Sequence, residues 1–137
     1  MTIYDVLPWL AGAGVVAFAV THMQMGRGVG AAGWLFPAGL SVAFLIWSLW
    51  SIISVGPFGF WIEHTRNAWG NQIWFDLLLG IGAAWYLLVP KAKALGMNLS
   101  AWLLLILCTG CIGLMAMIAR LNYLALQDPE KGRRLLA

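Results

Sequence analysis

Charge is what this sequence has least of: 9% of its 137 residues are Asp, Glu, Lys or Arg. The long uncharged stretches leave almost no room for a soluble core. Cysteine is scarce too, and Cys108 and Cys111 both sit inside an apolar stretch, so they say little about redox compartment. No basic n-region precedes the first apolar stretch. An acid, Asp5, stands there instead, and the stretch outruns a signal-peptide h-region, so it is expected to be retained. No basic patch interleaved with aromatics lies outside the apolar stretches, which excludes nucleic acid as a partner. A phosphate-cradling glycine loop, zinc-ligand spacing and a serine–histidine–acid pattern are all missing. No familiar catalytic motif, metal site or cofactor is therefore predicted.

What the chain has instead is four apolar runs, Tyr4 to Gln24, Gly33 to Val55, Ile73 to Val89 and Leu99 to Leu124, and a mean hydropathy of +0.85. A helix of about 20 residues rises about 30 Å, the hydrocarbon thickness of a bilayer, and unpaired backbone is not tolerated in lipid. Each run is expected to be a spanning helix. The expected fold class is an all-α integral membrane protein, a four-transmembrane-helix bundle in one domain, 1–137, with a short polar tail, 125–137. The first connection, Met25 to Ala32, is glycine-rich and suits a tight turn. The second, Gly56 to Gln72, mixes Phe58, Phe60, Trp61 and Trp69 with Glu63, His64 and Arg66, which predicts a short interfacial segment between the second and third spans. In the third, Pro90 closes a span, Lys91 and Lys93 follow, and Asn98 or Ser100 caps the next helix.

Alternating spans place the N-terminus, the second connection and the tail on one face. Arg66, Arg120, Lys131, Arg133 and Arg134 lie there, against Arg27, Lys91 and Lys93 opposite, so both termini are expected in the cytoplasm. The basic tail suits anionic lipid headgroups. Of the nine tryptophans, Trp9, Trp34, Trp74 and Trp102 fall near span starts, and Trp47, Trp50 and Trp85 near span ends. Indole prefers the headgroup level, so an aromatic belt accounts for most of them. Small residues four apart, Gly39 with Ala43, Gly80 with Ala84 and Thr109 with Gly113, predict close helix packing within the chain, with a second copy or with other membrane subunits.

Asp76 is the most informative single residue, because an intramembrane carboxylate is costly unless partnered. Arg120 is expected at similar depth on the next antiparallel span, so a structural Asp76–Arg120 ion pair is predicted. Glu63 and His64 beside Arg66, and Asp5 with them, would join this pair in one polar rim. Within it Asp76, His64 and Glu63 are the catalytic candidates, since a carboxylate beside a histidine is a workable acid–base couple. Trp61, Trp69 and Trp74 are the candidate rings for a bound carotenoid, quinone or lipid. His22 lies on the opposite face from His64, so the two cannot sandwich one haem, although a single axial ligand is compatible with either. Cys108 and Cys111 have C-x-x-C spacing but lie near the expected midplane, where a thiolate is disfavoured, and are expected to be inert.

The stretch Gly56-Pro57-Phe58-Gly59-Phe60, then Trp74-Phe75-Asp76-Leu77 through Lys91-Ala92-Lys93-Ala94-Leu95-Gly96, then a helix ending in Arg120, resembles small bacterial multi-helix membrane proteins of a domain-of-unknown-function class. These are in turn distantly similar to the plant membrane proteins of neoxanthin synthesis. In that pattern an aromatic-Asp pair opens a helix, a basic turn ends in Leu-Gly, and the next helix closes on Arg, which Asp76, Gly96 and Arg120 match. Val89-Pro90 stands where the pattern has an aspartate, and Gly113 alone where it has Gly-Pro. The resemblance implies a bacterial inner-membrane protein near isoprenoid or carotenoid metabolism. The leading functional expectation is a non-catalytic accessory or stabilising subunit of a larger membrane assembly. The alternatives are a membrane-embedded cyclase or isomerase acting on a lipophilic isoprenoid, with Asp76 as proton donor, and a pigment- or quinone-binding protein.

Overall fold

The structure is a computed structural model that describes residues 2–24, 33–128 and 130, with the side chains of residues 18, 19 and 21–24 left aside. Arg27 and the glycine-rich connection, the basic tail with Lys131, Arg133 and Arg134, and the His22 side chain lie outside the described residues. The described residues form six α-helices: α1 (Ile3–Gln24), α2 (Leu35–Val55), α3 (Gly59–Thr65), α4 (Ala68–Ala94), α5 (Leu99–Thr109) and α6 (Cys111–Gln127). α1 belongs to one compact unit and α2 to α6 form another. Of the six, α2 and α4 are long and apolar enough to cross a membrane.

Local chemistry fixes where each helix starts and stops. At the head of α1 the Thr2 backbone N–H and hydroxyl both donate to the Asp5 carboxylate, at 2.7 and 3.0 Å, so Asp5 is a helix-start residue. α2 ends at Gly56, whose φ of +93° only glycine adopts freely, and Pro57 cannot extend the ladder. The short helix expected in the second connection is α3. α4 starts earlier than the apolar run, because Asn67 caps it by accepting the Gly70 N–H at 2.9 Å. Trp69 therefore lies in the first turn of α4 rather than in the segment before it. α4 also runs through Pro90 instead of stopping there, since proline removes only the single N–H directed at the Tyr86 carbonyl. It stops at Gly96 in a Schellman motif, where the Met97 N–H reaches the Ala92 carbonyl at 3.0 Å and the Gly96 N–H reaches that of Lys93 at 3.1 Å. Asn98, not Ser100, caps α5, accepting the Ala101 N–H at 3.2 Å.

The fourth apolar run is not one helix. It breaks at Gly110, with φ +60° and ψ −128°, into α5 and α6. The Thr109 hydroxyl ties the two halves together: it donates to the Leu105 carbonyl at 2.7 Å and accepts the Gly113 N–H at 3.0 Å. Gly113 then passes so close to α5 that a methyl group on it would lie 3.0 Å from the Ile106 nitrogen. In a straight helix those residues would be about 10 Å apart along the axis.

Because of that corner, α6 runs antiparallel to α2. The Ser41 hydroxyl donates to the Ile112 carbonyl at 2.9 Å, the Asn122 amide donates to the Gly33 carbonyl at 3.2 Å, and the Trp34 and Tyr123 rings meet edge to face at 5.7 Å. The expected arrangement put the end of the fourth run on the side of the second connection, at the end of α2. The register puts it at the start of α2. α6 is the central element, packed most extensively on α2 and also touching α4 and α5. Its buried residues Leu114, Met117, Leu121 and Ala125 recur at helical spacing, and with Ala119, Ile106 and Ala92 they form the core of this unit.

Candidate functional site

The predicted polar residues fall in two separate places. The first is the corner between α3 and α4. Gly70 allows this corner, since a side chain there would strike the Glu63 carbonyl, and Asn71 locks it by donating to the His64 carbonyl at 2.8 Å. The His64 ring is half-buried against Trp74, with centroids 4.9 Å apart, and lies 6.3 Å from Phe60. Glu63 pairs with Arg66 at 3.0 Å, both exposed. The carboxylate nearest His64 in sequence thus serves an arginine, and the histidine has aromatic neighbours. Of the candidate rings only Trp74 joins the His64 cluster directly. Trp61 touches Phe60 from its edge at 6.5 Å, and Trp69 is 76% exposed.

Asp76 stands exposed on α4 and accepts a 3.3 Å hydrogen bond from Gln72, one turn earlier. The expected ion pair with Arg120 is not formed: among the described residues the salt bridge is Glu63–Arg66. The reason is the Gly110 corner. It carries Arg120 to the start of α2, whereas Asp76 lies near the α3–α4 corner that follows the end of α2. Asp5, in the other unit, caps α1.

The second place is an open groove between α2 and α6 of about 420 Å³. Trp34, Ala38 and Val42 line one wall, and Ala116, Ala119 and Tyr123 the other. Arg120 stands at the groove with its guanidinium 5.6 Å from the centre of the Tyr123 ring, a cation–π distance. Ser41 already donates to Ile112, so the groove floor is apolar and its free polar groups gather at one end. Sequence reading missed this pairing of Trp34, Ser41, Asn122 and Tyr123. Its signal was Trp34 and Ser41 seven residues apart in one apolar run and Asn122 beside Tyr123 in another, legible only once the direction of α6 is known.

Cys108 and Cys111 are free thiols on either side of Gly110. Among the described residues no three His, Cys, Asp or Glu side chains gather to hold a metal ion. Comparison with protein-family models, with curated proteins and with solved structures returns no match.

Proposed function

We propose that this chain is an integral membrane protein acting as a non-catalytic accessory or stabilising subunit of a larger membrane assembly. One observation carries the proposal: the apolar faces of α2 and α4 are left open. Ile53 is 81% and Leu79 71% exposed, and apart from each helix's own backbone nothing lies within 4 Å of a methyl group placed on Gly39 or Gly80. Small residues on such faces let a partner helix approach closely in lipid. Neither polar place offers an assembled acid–base couple.

In this proposal α1, α2 and α4 cross the bilayer, and α3 lies at its rim. α5, about 16 Å long, enters and α6 returns to the side it came from. Among the described residues Lys91, Lys93 and Arg120 then lie on the side where α2 starts, leaving Arg66 on the other. That bias orients the start of α2 and the end of α6 toward the cytoplasm, with α3 outside.

The test is gentle extraction in a mild detergent. The chain should migrate with one membrane partner at fixed stoichiometry, deletion should lower that partner's accumulation, and Gly80→Leu should release it without unfolding the chain. A chain that runs alone and converts an isoprenoid substrate would overturn the proposal in favour of a membrane cyclase or isomerase. A stoichiometric carotenoid or quinone absorption band without a partner would favour a pigment carrier.

A further inference from the structure

We propose that the groove between α2 and α6 binds an anionic phospholipid, its phosphate on Arg120 and the first part of an acyl chain along Ala38, Val42 and Ala116. The proposal rests on the membrane placement given above. Its ground is how the groove distributes charge and shape. Arg120 has no carboxylate partner among the described residues, and its guanidinium is steadied over Tyr123 at 5.6 Å. A guanidinium presents parallel N–H donors that match a phosphate, and an unanswered cation at the rim of an apolar surface favours an anion of amphiphilic shape.

The depth is right as well. Arg120 lies level with the start of α2, where Asn122 bonds the Gly33 carbonyl and Tyr123 meets Trp34. An indole beside a phenol at a helix start marks the headgroup region. From Arg120 to Ala116 is one helical turn, about 6 Å toward the bilayer interior, so the groove takes the upper part of a chain and the rest lies among neighbouring lipids. Ala38, Ala116 and Ala119 leave the space that a larger residue would fill. A wholly apolar helix seated here would cover the guanidinium without answering its charge, which is costly in lipid. Lys91 and Lys93, on this same side, draw anionic lipid to the leaflet.

The test uses the full chain in nanodiscs of equal phosphatidylglycerol and phosphatidylcholine, with the retained lipid read by native mass spectrometry after release. Wild type should keep one phosphatidylglycerol in preference to phosphatidylcholine. Arg120→Gln should lose about tenfold of that preference, the scale of one charged phosphate contact, and Arg120→Lys should restore part of it. Ala38→Leu should lower retention of both lipids while helicity is unchanged. Equal retention of both lipids by wild type, an unchanged preference in a folded Arg120→Gln, or a second copy of the chain in place of lipid would overturn the site. Failure to enter nanodiscs at all would overturn the membrane placement and the lipid site with it. Insertion without lipid preference overturns the lipid site alone.

Discussion

Asp76 and Arg120 answer to different neighbours, and their energetics should be independent. Asp76 is held by Gln72 on its own helix, while Arg120 lies over Tyr123 beside the start of α2. Removing one therefore leaves the other's surroundings intact. In a double-mutant cycle, Asp76→Ala and Arg120→Ala should add to within about 0.5 kcal/mol in reversible unfolding in detergent. A coupling well above that would mean the two charges meet. Gly113 is the more sensitive residue. A methyl group there would sit 2.8 Å from the Thr109 oxygen that holds the α5–α6 corner and 3.0 Å from the Ile106 backbone. Gly113→Ala should cost about 1 to 3 kcal/mol by overpacking, read as a lower Tm. Gly39→Ala, in open space inside α2, meets no such clash and should hold or slightly raise Tm, since alanine favours a helix over glycine.

Among the elements, α6 holds its unit together and α2 presents the open face. Met117 is fully buried on α6, so Met117→Ala should cost about 2 to 5 kcal/mol, as the surrounding helices cannot close the cavity. Ile53→Ala, on the exposed end of α2, should fall within about 0.5 kcal/mol of wild type. Thermal unfolding of the two variants in one detergent checks the contrast. Helix ends were largely legible in the sequence, because caps are local chemistry: Gly56-Pro57 stops α2 and Asn98 starts α5 as their residue types dictate. The early start of α4 at Asn67 was equally local, but the apolar run masked it. The break at Gly110 was not legible, since hydropathy averages over Thr109-Gly110 and carries no information on backbone angles. The Asp76–Arg120 expectation failed with it, because shared depth depends on the direction of the last helix.

At the scale of the whole molecule, one glycine decides at which end of α2 the helix α6 finishes. A continuous fourth helix would carry residue 127 to the level of Arg66. A corner at Gly110 returns it to the start of α2, where Asn122 bonds the Gly33 carbonyl. In the proposed membrane placement Lys91, Lys93 and Arg120 then fall on one side and Arg66 on the other, and the candidate lipid groove opens on the side of Arg120. The direct measurement is cysteine labelling in a background with Cys108 and Cys111 replaced by alanine, with single cysteines at Arg66, Lys93 and Gln127. In intact cells an impermeant maleimide should label position 66, while 93 and 127 react only in inside-out vesicles. Labelling of position 127 together with 66, from either side, would contradict the corner and restore a continuous fourth span.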